Sequence, residues 1–223
     1  MEDEHEPRAL RADAERNRQR LLAAATEMFC ERGLDVGVGE IAHHAGVGRA
    51  TLFRNFPTKE DLIAAILIDR LHQSADRGRA ALQAPDPGSA LFSLIESSIC
   101  VSQTDRALFD ALDDAWLGND EIRGAHAELV GVLDALLSRA QDAGAVRPDI
   151  GAVDLMMMIK GVCEAQSAFQ HVNPDVALRQ IDLLRAALRS GGEQCPLRGH
   201  PPSLSDLDQS LAPPAEPALP ATG

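Results

Sequence analysis

The chain has 223 residues, 45% of them apolar, which suits one large domain or a small domain joined to a larger one. No run of 18 or more apolar residues occurs, so no membrane helix is expected, and the opening Met1 to Glu6 lacks the basic start and apolar stretch of a secretory signal. The net charge of −13 excludes a general nucleic-acid binder, which would be basic.

Four cysteines, Cys30, Cys100, Cys163 and Cys195, are widely spread without a C-x-x-C pair. Neither a zinc site nor a thioredoxin-like motif is indicated, and a cytoplasmic protein with reduced thiols is expected.

Residues 1–13 are charged and aperiodic and read as a flexible arm. From about Asp13 to Arg32 the apolar positions Leu21, Ala25, Met28 and Phe29 recur at helical spacing. Gly33 suits the left-handed conformation that ends a helix. Ile41 to Ala45 gives a short helix, and Gly46 marks a sharp turn. Gly48 to Asn55 gives a second short helix, which Pro57 ends. Thr58 can cap the next helix, with Glu60 and Asp61 in its first turn. Two short helices, a tight turn and a longer helix make a helix–turn–helix pattern. Leu52 and Phe56 are expected to turn inward, with Phe53 at the edge. Thr51, Arg54 and Asn55 are expected to turn outward, with Arg49 at the helix start. Arg can bind guanine bidentately, Asn adenine, and Thr a phosphate or a thymine methyl. An ordinary helical hairpin with a solvated polar face shows the same pattern.

The long helix 58–83 carries Leu62, Ile63, Ile66, Leu67 and Leu71. Ala84 to Gly88 is a break. Helices are then expected over 89–102, 105–116, 121–143, 151–169 and 174–188, and no stretch alternates as a strand does. After Ser190, Gly, Pro, Ser and Ala dominate, so 191–223 is expected to be a disordered tail.

The run Arg20 to Gly33, then Ile41-Ala, Ala45-Gly-Val, Ala50 to Phe56 and Lys59-Glu-Asp-Leu62, resembles the DNA-binding domain of the TetR family of bacterial transcriptional regulators. The likeness spans roughly residues 14–70 in unbroken order. It implies an all-α fold of about nine helices, with a three-helix DNA-binding head over 14–60. A helical effector-binding and dimerisation body follows over 61–190. It implies DNA contacts from Gly48, Arg49, Ala50, Thr51, Phe53, Arg54 and Asn55, and a phosphate contact from Lys59. Three positions depart from the family pattern. Gly37 and Gly48 stand where a Thr and a Ser commonly cap the two short helices, and Phe53 stands for a Tyr that commonly touches a phosphate. Hydroxyl contacts to the DNA backbone are lost there, which bears on affinity more than on identity.

Charge distribution agrees with a sequence-specific binder. Residues 14–60 carry seven Arg or Lys and six Asp or Glu, so nearly all the negative charge lies elsewhere. An acidic body would repel DNA except at the reading face. The resemblance also implies a homodimer through the helices at about 151–169 and 174–189, reading a near-palindrome, and a small-molecule effector that releases it. Phe92, Cys100, Phe109, Trp116, Met156, Met157, Cys163 and Phe169 could line an effector cavity or serve as ordinary core. No cofactor or metal is expected. A ligand-responsive repressor is the reading. A transcriptional activator and a ligand-independent DNA-binding dimer remain alternatives, and an enzyme is the rival from another class. For the enzyme, adjacent His43 and His44 point to different helix faces. Asp113-Asp114 and Glu164 are isolated, and no G-x-S-x-G, H-E-x-x-H, P-loop or G-x-G-x-x-G is present.

Overall fold

The computed structural model describes residues 6–104, 119–169, 172–173, 175–191 and 195–211. Within them the chain is helical, with one isolated bridge between Val146 and Arg189 and no other strand pairing. The helices are α1 (Glu6–Arg32), α2 (Val38–His44), α3 (Arg49–Asn55), α4 (Lys59–Ala81), α5 (Pro87–Thr104), α6 (Asp120–Asp142), α7 (Ala152–Phe169), α8 (Val176–Leu188) and α9 (Leu204–Leu211). The helix expected over 105–116 lies outside the described residues.

Local chemistry explains the breaks. Gly33, Gly46 and Gly144 follow α1, α2 and α6 with φ of 76°, 67° and 68°, a region costly for a residue with a Cβ. After α2, Gly46 N donates to His43 O at 3.1 Å and Val47 N to Ala42 O at 3.0 Å. This crossed pair satisfies carbonyls the helix end would leave open. Thr58 and Asp61 form a reciprocal capping box at the start of α4. Asn119 caps α6 by accepting from Glu121 N and Ile122 N.

Two apolar cores result. One is built from Leu21, Phe29, Ile41, Leu52 and Phe56 with Leu62, Ile66, Leu67 and Leu71 of α4. Ile122 and Ala125, from the first turns of α6, belong to it as well. The other unites α5, α6, α7 and α8 through Leu91, Ile95, Ile99, Leu136, Leu155, Ile181 and Leu184. Helix α4 thus serves the first core with its N-terminal half. With its C-terminal half it lies so close to α6 that a Cβ on Gly78 would meet Val132 Cγ1 at 2.6 Å. Glu128 of α6 ties the same pair of helices by bonding Arg79 and facing His72 at 3.6 Å.

Two expectations are corrected. Helix α1 begins at Glu6, so residues 6–13 are helical rather than a flexible arm. Pro7 sits in the first turn, where its missing N–H costs no helical bond, and nothing after it breaks a helix. The reading of 191–223 as wholly disordered also fails over 195–211. Arg147 donates to Cys195 O at 3.0 Å, Leu197 N donates to Asp149 Oδ2 at 3.2 Å, and Leu204 packs on the second core. Ser203 and Asp206 cap α9 reciprocally, at 2.7 and 3.2 Å. That Ser-x-x-Asp signal is local, and the tail's composition hides it.

Candidate nucleic-acid interface

Helix α3 is short, and its two neighbours fix its orientation. Leu52 is fully buried against α1 and α2, and Phe56 is buried too. Phe56, however, is the C-cap residue, with an extended backbone at φ −138°, ψ 96°. Its side chain therefore does not mark the inner face of α3. With Leu52 alone setting the register, the exposed strip is Arg49, Ala50, Phe53 and Arg54. Thr51 and Asn55 are half-buried on the flank, and the Asn55 side-chain amide donates to Thr51 O at 2.8 Å.

The outward face expected from the sequence is therefore turned. Arg54 stands outward as expected. Thr51 and Asn55 are drawn in, and Phe53 moves from the edge to the face, 42% exposed. The signal that would have found this is the proline at 57. It takes Phe56 out of the helix, so the spacing Leu52–Phe56 carries no helical phase.

Gly48 is the α3 N-cap and Gly37 the α2 N-cap, and neither offers a side-chain cap. Arg49 lies across the first turn of α2, where a Cβ on Gly39 would be 3.5 Å from its guanidinium carbon. An open polar cleft of about 450 Å³ separates Arg49 from Arg32, Asp35 and Glu40. Lys59 is half-buried, with its ammonium 5.9 Å from the Phe29 ring centre. Arg18 of α1 stacks 4.6 Å above the Phe56 ring. Of Arg16, Arg18 and Arg20 in the middle of α1, Arg16 pairs with Asp13 and Arg18 stacks in this way, while Arg20 is exposed. His44 is paired with Glu27 at 2.9 Å, which ties α2 to α1.

In the second core Phe92 and Cys163 are buried, and Met156 packs at its margin. The Phe92 ring lies under the Arg185 guanidinium at 5.4 Å. Cys100 is exposed, as are Met157 and Phe169. Phe109 and Trp116 lie outside the described residues. Among the described residues, Phe92 and Cys163 thus lie inside the second core, while Cys100, Met157 and Phe169 lie at the surface. A residue passed over in the sequence is Gln166 of α7, 7% exposed, whose Oε1 has no hydrogen-bond partner among the described residues. No helix among the described residues is long and apolar enough to cross a membrane.

A compact three-helix unit presenting α3, continuous through α4 with a helical body, defines a helix–turn–helix DNA-binding regulator. Residues 21–66 match the model of bacterial regulatory proteins of the tetR family, and residues 86–190 match that of the SbtR-like transcriptional regulator C-terminal domain. A TetR regulatory protein from Mycobacterium vanbaalenii is 36% identical and superimposes with a TM-score of 0.62, over 81% of this chain and 99% of its own. The TetR regulator SCO0520 from Streptomyces coelicolor is 32% identical, with a TM-score of 0.62 over 78% of this chain and 99% of its own. The HTH-type transcriptional regulator SrpR of Pseudomonas putida is 39% identical over 62 residues, which span 27% of this chain and only 29% of that protein. The chain belongs to the TetR family of transcriptional regulators. The family is one of DNA-binding regulators, not of enzymes.

Proposed function

We propose that the protein is a cytoplasmic homodimeric repressor that binds a near-palindromic operator and is released by a small-molecule effector. The observation that carries the DNA-reading part is the exposed strip Arg49, Ala50, Phe53 and Arg54 on a helix held by a buried apolar core. Two arginines on a major-groove-sized element supply base-reading forks, and Lys59 at the start of α4 supplies a phosphate contact. In this reading residues 14–60 form the head and 61–190 the body, although the head core borrows apolar residues from both α4 and α6.

The homodimer is supported by apolar surface on α7 and α8. Met157, Leu178 and Leu183 are 58%, 57% and 53% exposed on the last two helices of the body. Large exposed apolar side chains on neighbouring helices suit an interface between identical subunits. A two-fold dimer would set two α3 helices on successive major grooves. Effector binding within the body is supported by Gln166, whose buried, unpaired carbonyl oxygen is a group that an internal ligand can satisfy.

The test is a gel-shift selection from genomic fragments, including the region upstream of the protein's own gene, at fixed salt. Enrichment of a near-palindrome is the expected result, and the enriched site then serves as the probe for effectors that release it. A folded dimer that enriches no site would overturn the reading.

A further inference from the structure

We infer that the operator is read partly through a thymine methyl group, received by an apolar spot that Ala50 and Phe53 make on α3. The inference rests on the proposed operator binding and specifies its chemistry. Ala50 and Phe53 are three residues apart in the same helix, so their side chains are neighbours on its surface. Both are exposed, and Arg49 and Arg54 flank them. Phe53 is a large ring left 42% in water. The other large apolar side chains so exposed among the described residues all lie beyond residue 156. The rest of the outer face of α3 is polar or small, so this ring is an isolated departure with no core to serve.

The chemistry of the major groove narrows what such a ring can meet. Phosphate oxygens and base-edge nitrogens want donors or acceptors, and a phenyl ring offers neither. The C5-methyl of thymine is the apolar feature that the major groove displays, and Ala and Phe side chains are suited to it. The two arginines beside the spot are suited to guanine O6 and N7. A half-site in which a thymine adjoins a guanine fits this face. Thr51 and Asn55 are drawn to the flank, where the Asn55 amide is already engaged with Thr51 O.

The experiment uses the operator enriched by the selection above. Each thymine is replaced in turn by deoxyuridine, which removes only the methyl, and binding is measured at fixed salt for the full-length protein and for Phe53→Ala. One thymine per half-site is expected to matter. Its replacement should weaken wild-type binding roughly fourfold in one half-site and roughly fifteenfold in both, the value of one buried methyl and of two. Phe53→Ala should bind more weakly and respond equally to thymine and deoxyuridine there. Changing that thymine to cytosine should weaken wild-type binding, and 5-methylcytosine should recover part of the loss. Wild-type binding indifferent to deoxyuridine at every position overturns the inference. So does a Phe53→Ala protein that keeps the methyl preference, or one that weakens equally on every sequence, which would place the ring against deoxyribose. Failure to enrich any operator is a separate result and defeats the proposed function itself.

Discussion

Arg54 and Lys59 are both cations at the proposed interface, and their surroundings give them different work. Arg54 stands exposed on the outer face of α3. Lys59 lies half-buried at the head of α4, close to the Phe29 ring. Arg54→Ala should cost roughly 1–3 kcal/mol of operator binding and relax specificity at one base pair. Lys59→Ala should weaken binding about equally on all sequences and reduce the salt slope by about 1. Binding to a panel of single-base operator variants at several salt concentrations separates the two. Unchanged affinity in Arg54→Ala would retire its base-reading role. The exposed face of α3 was half legible from the sequence. Arg49 and Arg54 follow from the motif, but Phe56 misleads because Pro57 removes it from the helix whose phase it seemed to set. Asn55 misleads for another reason. A short amide at a helix end bonds its own backbone as readily as a base, and spacing does not tell which.

At the level of elements, glycines and caps made most boundaries legible, because each enforces a local conformation whatever surrounds it. Gly33, Gly46 and Thr58 stop or start helices where the sequence places them. The close approach of α4 to α6 was not legible, since a glycine inside a helical pattern gives no sign of what lies opposite. Gly78→Ala tests that contact. Alanine favours a helix over glycine by about 1 kcal/mol, but its Cβ would strike the stiff Val132 side chain. Overpacking of this kind costs typically 1–3 kcal/mol, so the melting temperature should fall. Adding Val132→Ala should restore most of it. The C-terminal segment offers a second test. Deleting residues 192–223 removes Leu204 from the second core, worth about 1 kcal/mol, or roughly 2–4 °C in melting temperature for a chain of this size. An unchanged melting temperature would return the whole tail to disorder. The attachment should also respond to pH with a defined sign. The Arg147 hydrogen bond holds the Asp149 carboxyl well below its ordinary value of 3.8, against a smaller desolvation effect. A depressed carboxylate contributes above its unfolded value and loses that contribution as pH falls through the folded one. Protection of the Leu197 amide against exchange should therefore persist at neutral and mildly acidic pH. It should fail at any pH in Asp149→Ala, which removes the acceptor.

For the whole molecule, apolar surface and charge lie in different places. Among the described residues, Leu178 and Leu183 on α8 are left more than half exposed, while the head is nearly neutral on an acidic chain. Leu178→Asp combined with Leu183→Asp should leave helix content intact and convert a dimer to a monomer in sedimentation. It should also abolish tight binding to a two-half-site operator. A dimer that survives both changes would place the interface elsewhere. The fold class was legible because helical periodicity repeats along the chain. The partition into head and body was less so, because packing crosses it. Ile122 and Ala125, far along the chain, close the core of the head. Anyone grafting this head onto the body of a relative would cut through that core. A chimaera joined after α3, or within α4, would leave a hole where the two side chains belong. A functional transplant should have to carry the first turns of α6 along with the residues that read DNA.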